Sequence, residues 1–249
     1  MARPRVRLDE RLLELGLETS RSRAQARIRA GEVKLGDRVM DKPGVQVPAD
    51  CQLELRPRRR YASRGGDKLA GALDAFGVDP SGLRCADVGA STGGFTDCLL
   101  KHGAASVRAI DVGYGQLDGA LRNDARVCVV ERTNIRHYEL ADDDEPFDLV
   151  TADLSFISTA RVLPRLAGLL RPAGRLLVLV KPQFELERRD VGSGGVVRDP
   201  EKRREAAARV RAAAEALGLD VLDEAESVLA GPKGNRERFL LLSVPDPAA

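Results

Sequence analysis

Five apolar residues in a row, Leu176-Leu177-Val178-Leu179-Val180, stop at a charged one, Lys181. An earlier run, Phe147-Asp148-Leu149-Val150-Thr151-Ala152, stops at Asp153. Short apolar runs of this kind read as buried strands, and buried strands belong to parallel sheets covered by helices on both faces. Ligands of an open parallel sheet bind just past the carboxyl ends of its strands. An amine and an acid are therefore expected at one crevice. A glycine-rich turn, Asp87-Val88-Gly89-Ala90-Ser91-Thr92-Gly93-Gly94, ends a third apolar run on the same edge.

The pattern around these runs alternates. Helices are expected over residues 67–76, 94–101, 159–170 and 200–217. Strands are expected over 83–88, 106–112, 127–131, 147–153 and 175–181, then over 219–229 and 237–244 around the turn Gly231-Pro232-Lys233-Gly234. Such alternation predicts a doubly wound α/β sheet. Two consecutive strands joined by a turn predict an antiparallel last strand.

The first quarter of the chain differs. Leu8, Leu12 and Leu15 follow the i, i+4, i+7 spacing of an amphipathic helix, with Asp9 in its first turn and Gly16 to end it. A second helix is expected from Ser20, a good N-cap, to Gly31, with Ala24 and Ile28 on one side and Arg21, Arg23, Arg27 and Arg29 on others. Strand-like pieces at 32–35 and 52–55 flank a Gly/Pro-marked stretch at 36–50. Through Arg60 there are 15 Lys/Arg against 9 Asp/Glu, whereas the remainder has 25 against 29. This asymmetry fits either a module that meets a polyanion or a solvated basic face. Arg56-Pro57-Arg58-Arg59-Arg60-Tyr61 reads as a basic linker. The expected organisation is a small α+β module over 1–55, a linker over 56–63, and an α/β domain over 64–249.

Several classes are set aside. Cys51, Cys85, Cys98 and Cys128 form no C-x-x-C, and His102 and His137 are the only histidines, so no metal site is expected. The cysteines read as buried thiols in a reducing compartment. The Arg-rich start has no apolar signal-peptide region, and no apolar run reaches the roughly 18 residues of a membrane helix. A cytoplasmic protein with no membrane partner is expected.

The turn at 87–94 carries acid, glycine, serine and glycine at positions 87, 89, 91 and 93, not the G-x-G-x-x-G of dinucleotide enzymes. That spacing argues against a nicotinamide oxidoreductase. Glycines let backbone approach a ligand closely. Asp87 can hold an amine-bearing group. Asp111, ending the next strand, can accept from ribose hydroxyls, or can cap a turn through Gly113. Lysine is scarce, 7 against 33 arginines. Because an amine can lose its proton and a guanidinium cannot, Lys68 and Lys181 are the candidate bases. A second cation nearby, or partial burial, makes an amine release its proton more readily.

Resemblances sharpen these readings. Arg7-Leu8-Asp9, Leu12, Gly16-Leu17, Ser20-Arg21, Ala24 and Gly31-Glu32-Val33-Lys34-Leu35-Gly36-Asp37 resemble the S4 RNA-binding domain. This implies RNA contacts from Arg7, Arg21, Arg23 and Arg27, with Arg59 and Arg60 of the linker beside them. The order D-x-G-x-S-x-G resembles the first motif of S-adenosylmethionine-dependent methyltransferases. Ser63-Arg64-Gly65-Gly66-Asp67-Lys68-Leu69, the 87–96 turn, Ala109-Ile110-Asp111-Val112-Gly113-Tyr114-Gly115-Gln116-Leu117, Ala152-Asp153-Leu154-Ser155-Phe156-Ile157-Ser158, Val180-Lys181-Pro182-Gln183-Phe184-Glu185 and Gly231-Pro232-Lys233-Gly234-Asn235 together resemble the TlyA family over essentially the whole chain.

The TlyA resemblance implies an S4 domain joined to an FtsJ-like methyltransferase. The implied activity is 2′-O-methylation of cytidine in 16S and 23S ribosomal RNA, with ribosomal subunits as partners and S-adenosyl-L-methionine as methyl donor. It puts a catalytic tetrad on Lys68, Asp153, Lys181 and Glu237. Cofactor contacts fall on Asp87, Gly89, Ser91, Gly93, Asp111, Asn134, Asp153 and Phe156. In the expected mechanism Lys181 takes the proton of the ribose 2′-hydroxyl, Lys68 orients the ribose, and the two acids hold the amines. The loop Val191-Gly192-Ser193-Gly194-Gly195 reads as a lid, a phosphate cradle or a plain loop. The alternatives are a non-catalytic RNA-binding ribosome-assembly protein and a membrane-lytic haemolysin, a label the family has carried.

Overall fold

The computed structural model describes residues 4–29, 31–56 and 60–246. Its contacts divide the chain into two units, Met1–Arg59 and Arg60–Ala249. In the first, β1 (Arg5–Arg7) runs directly into α1 (Leu8–Glu14), followed by α2 (Arg21–Arg29), β2 (Val33–Leu35), β3 (Arg38–Met40), β4 (Gln46–Pro48) and β5 (Glu54–Leu55). Leu8 and Leu12 are fully buried against Ala24, Ile28, Val33 and Val47, so the leucine stripe forms the core of this unit. The Ser20 hydroxyl accepts from Arg23 N at 3.3 Å and caps α2. β3, β2 and β5 form an antiparallel sheet, and β1 pairs with β4. The stretch at 36–50, expected as turns, thus holds two strands. At three residues each they carry too little alternation to be read locally; their ladders define them.

The second unit contains α3 (Arg64–Phe76), β6 (Arg84–Val88), α4 (Gly94–Lys101), β7 (Ser106–Ile110), α5 (Gly119–Arg122), β8 (Val127–Val130), β9 (Phe147–Ala152), α6 (Thr159–Ala167), β10 (Leu170–Val180), α7 (Pro182–Glu185), α8 (Pro200–Ala216), β11 (Asp220–Glu226) and β12 (Arg238–Ser243). The sheet order is β11-β12-β10-β9-β6-β7-β8. β10, β9, β6, β7 and β8 are parallel, and β12 is antiparallel to both of its neighbours. The expected doubly wound sheet with an antiparallel last strand is the fold observed.

The long apolar runs follow from burial on both faces. Leu177, Leu179, Phe239 and Leu241 pack with α3 and α4 residues Leu69, Leu73 and Leu99. Leu176, Val178, Leu240 and Leu242 pack on the other face with Val162, Leu163 and Leu166 of α6 and Val210 of α8. β10 starts at Leu170, five residues before the expected strand, with a register shift between Leu170 and Arg175. Leu170 therefore pairs with Phe147 in the sheet instead of ending α6. Residues 60–63, read as linker, pack within this unit: Tyr61 is buried, Ala62 N donates to Asp97 Oδ2 at 2.8 Å, and Ser63 caps α3. Of the four cysteines expected to be buried, Cys85 and Cys98 are, Cys51 is half-buried, and Cys128 is exposed on the edge strand β8.

Candidate active site

From β6 the chain moves outward through β7 to β8, then returns to place β9 on the other side of β6. The switch point, where ligands of such sheets bind, lies between the carboxyl ends of β6 and β9. Those ends lead into Gly89 and Asp153. Gly89 has φ of +86°, and a Cβ there would stand 2.5 Å from the Asp153 carbonyl oxygen, so only glycine lets the two segments cross this closely. Asp153 N donates to Val88 O at 3.0 Å, which fixes the crossing.

A cavity of about 1070 Å³ opens at this point, with Gly89, Ser91, Asp111, Asn134, Asp153 and Phe156 among its lining residues. Asp111 is held rigid: Ser91 N donates to Oδ2 at 2.8 Å and Gly113 N to Oδ1 at 2.6 Å. It therefore caps the turn through Gly113 and still keeps a second lone pair on each oxygen for a ligand. The Asn134 Oδ1 accepts from Arg136 N at 3.1 Å, which leaves its amide N–H groups unused in that cap. Phe156, at φ +65° and 92% exposed, projects into solvent with its ring 5.4 Å from that of Phe184.

Asp87 and Gly93 stand apart from this lining. Asp87 is fully buried; its Oδ2 accepts from Thr96 N at 2.8 Å and Thr96 Oγ1 at 2.6 Å, while Oδ1 has no partner. It ties the end of β6 to the first turn of α4. Burial pushes its carboxyl up to about 7, against the Thr96 hydroxyl, which favours the charged form. Gly93, at φ +91°, packs against Leu117 and Leu121.

The four tetrad residues form two ion pairs. Lys181, directly after β10, places Nζ 2.5 Å from Asp153 Oδ1, in an approach off the hydrogen-bond axis, and donates to Ser155 Oγ at 3.0 Å. Lys68, in the second turn of α3, pairs with Glu237, which directly precedes β12. The Lys68 and Glu237 side chains are only 7% and 1% exposed. Val180 and Arg238 are the last partners of the β10–β12 ladder, so Lys181 and Glu237 leave the sheet at the same edge. A Cβ on Gly231 would come within 2.5 Å of Glu237 Oε1, so the 231–235 turn lies directly against that carboxylate.

Residues 61–243 match the FtsJ-like methyltransferase family and residues 6–50 the S4 domain. The chain belongs to the FtsJ-like methyltransferase family. It is 47% identical over 244 residues to the 16S/23S rRNA (cytidine-2′-O)-methyltransferase TlyA of Mycobacterium tuberculosis, covering 97% of this chain and 91% of that one. It is 38% identical to Hemolysin A of Brachyspira hyodysenteriae, covering 93% and 97%. A solved structure of a protein named as a hemolysin, from Streptococcus thermophilus, is 38% identical, with a TM-score of 0.75 and coverage of 98% of this chain and 90% of that one. These similarities span both units, so this FtsJ-like enzyme is a TlyA-family member with an S4 domain. Among the described residues no helix is long and apolar enough to cross a membrane.

Sequence reasoning did not single out Ser155 and Glu185 of this FtsJ-like domain. Glu185 is buried; it accepts from Ser158 Oγ and from Thr159 N, each at 2.6 Å, and so holds the 156–159 segment that carries Phe156. Its signal was the Lys181-Pro182-Gln183-Phe184-Glu185 motif, which puts an acid one turn after the lysine that ends the strand.

In the S4 domain, Arg7 and Arg21 converge on one carboxylate, Asp9. Arg23 is exposed, with contacts to Thr19 and Glu18. Arg27 points inward, 18% exposed, 2.5 Å from Glu18 and 3.7 Å from Glu32, which leaves it little reach for a ligand. Arg59 lies outside the described residues. Arg60, in the second unit, lays its guanidinium 5.0 Å from the Tyr61 ring centroid, and its carbonyl accepts from Lys101 Nζ at 2.6 Å.

Proposed function

We propose that this protein is an S-adenosylmethionine-dependent methyltransferase acting on the ribose 2′-hydroxyl of cytidine in 16S ribosomal RNA, 23S ribosomal RNA or both, as its 47%-identical relative's name states for that protein. The observation that carries the reading is Asp153, on the wall of the cavity at the sheet's switch point, paired there with Lys181 from the end of β10. Pockets of about 300–1,000 Å³ are the usual size for small-molecule sites. Apolar walls from Val88, Ile110 and Ile135, with the rigid Asp111 carboxylate and Asn134, suit an adenine and its ribose hydroxyls. Gly89 and Ser91 would take the backbone-hugging part of the cofactor. Asp87 serves the site indirectly, by holding the turn to α4.

When bound, S-adenosylmethionine supplies an electrophilic methyl group on a sulfonium. The protein's part is to make the 2′-hydroxyl a nucleophile. Lys181, reaching the reaction as the neutral amine, takes the hydroxyl proton onto Nζ. The ammonium so formed is met by Asp153 at 2.5 Å and Ser155 Oγ at 3.0 Å. Lys68, held by Glu237, orients the ribose oxygen with a charged donor. Phe156 and Phe184 offer an aromatic platform on which a base can stack. The exposed arginines of the S4 domain contact RNA phosphates, and the site of action is the ribosome-containing cytoplasm.

The test is tritiated methyl transfer to isolated ribosomal subunits. Lys181→Ala is expected to lose transfer while retaining cofactor binding by calorimetry. Full transfer by that variant would remove Lys181 from the chemistry, and no transfer by the wild type to either subunit would reject the substrate.

A further inference from the structure

Asp9 is the one acidic side chain in the S4 domain with no exposure at all, in a helix whose other face is leucine. A carboxylate at such a position is costly unless every lone pair finds a donor. Here the donors are the side chains of two arginines and a glutamine, and one backbone N–H. Arg7 binds in a fork, Nε to Oδ1 and Nη2 to Oδ2, both at 3.0 Å. Arg21 Nε reaches Oδ2 at 3.2 Å, and Gln25 Nε2 reaches the same oxygen at 2.7 Å. The Glu10 backbone N–H donates to Oδ1 at 3.2 Å. Burial acts to raise the Asp9 carboxyl, but the bonds from Arg7, Gln25 and Arg21 together hold it well below the usual carboxylate range.

The arginines themselves are not buried. Arg7 is 37% and Arg21 52% exposed, and each spends only part of its five N–H donors on Asp9. A long, flexible side chain normally loses entropy when it grips a ligand. Two guanidiniums already anchored on one buried oxygen pair have lost it during folding. Arg7 comes from the end of β1 and Arg21 from the first residue of α2, so the carboxylate is what joins them.

We infer that Asp9 is a positioning residue for RNA binding: it sets Arg7 and Arg21 as one fork whose remaining N–H groups take a backbone phosphodiester. This rests on the RNA substrate proposed above, and it makes an unusual prediction of sign. Removing a negative charge from a phosphate-binding face should strengthen binding by charge alone. If Asp9 positions the arginines, removing it weakens binding instead. Glu10 supplies the control: it is 41% exposed, lies 3.9 Å from Arg7 and 3.5 Å from Arg21, and accepts no hydrogen bond from either.

The experiment measures binding of the full-length protein to a short ribosomal RNA hairpin over a salt series, with circular dichroism and melting checked for each variant. Asp9→Asn is expected to bind about tenfold more weakly, with a log K against log salt slope shallower by about one phosphate contact. Glu10→Gln is expected to bind as well as the wild type or better. Asp9→Asn should add little to an Arg7→Ala/Arg21→Ala background, because the fork is already gone. Should Asp9→Asn fail to fold, Arg7→Lys/Arg21→Lys keeps both charges but cannot span the carboxylate and a phosphate together, and it is expected to lose affinity similarly. Equal or tighter binding by Asp9→Asn, or unchanged binding by the double lysine variant, would overturn the inference. Failure of the wild type to bind the hairpin would instead reject the RNA substrate itself.

Discussion

The Lys68–Glu237 pair gives the sharpest test of why the enzyme carries charge in its interior. Both side chains are almost fully enclosed, at 7% and 1% exposure, so solvent screening of their contact is slight. Substituting Lys68→Met leaves the Glu237 carboxylate beside Gly231 with no cation, and breaking a buried pair in this way costs about 3–5 kcal/mol. For a unit of this size, each kcal/mol shifts the melting temperature by about 2–4 °C. Lys68→Met and Glu237→Leu alone should therefore each lower the melting transition of the larger unit by about 10 °C. The double variant replaces the pair with apolar groups of similar volume, and it should recover most of that loss, since an apolar substitute for a buried pair is often neutral or better. Calorimetry on the wild type, both single variants and the double variant gives the coupling directly. Methyl transfer assayed on the same proteins should be lost in all three variants, including the stable one. Additive losses, or single shifts under about 2 °C, would refute the claim that these groups are coupled and desolvated.

Other consequences follow from the same site. Burial holds the Asp87 carboxyl near 7 in the folded chain, above its ordinary value, so the native state binds more protons than the unfolded chain between about pH 4 and 7. Stability from this group is present at low pH and declines as pH rises through about 7; Asp87→Asn, measured by melting across that range, should flatten the decline, and identical profiles would count against it. Gly89→Ala forces a side chain into φ +86° and to 2.5 Å from the Asp153 carbonyl oxygen. The left-handed conformation alone costs about 1–2 kcal/mol, so the melting temperature of the larger unit should fall by at least about 2–8 °C, and an unchanged melting temperature would contradict the crossing described. Asn235 is buried, its Oδ1 accepting from Val197 N and its Nδ2 donating to Gly195 O, both at 2.8 Å. Asn235→Ala should speed amide exchange at Val197 and loosen the 192–197 loop; unaltered protection there would assign the loop's order to other contacts.

Legibility followed the range of the interactions. The S4 helices and the central strands were readable because their signals are local: leucines at 8 and 12, and uninterrupted apolar runs such as 176–180 that only a sheet buried on both faces requires. The three-residue strands β3 and β4 were not, because a ladder partner and not a pattern makes them strands. Arg27 and Arg21 look alike in the sequence, yet one is largely enclosed beside Glu18 and the other stays half exposed while anchored on the buried Asp9.

By itself the sequence determined the α/β alternation, the antiparallel finish and the residue types offered at the strand ends, since these rest on periodicity and on where apolar runs stop. The tertiary structure alone decided their use. It joined Lys68 to Glu237 across 169 residues by inserting β12 between β10 and β11, and it enclosed Asp87 behind Thr96. A side chain's charge environment is set by what other segments bring to it, and that is fixed only when the sheet closes.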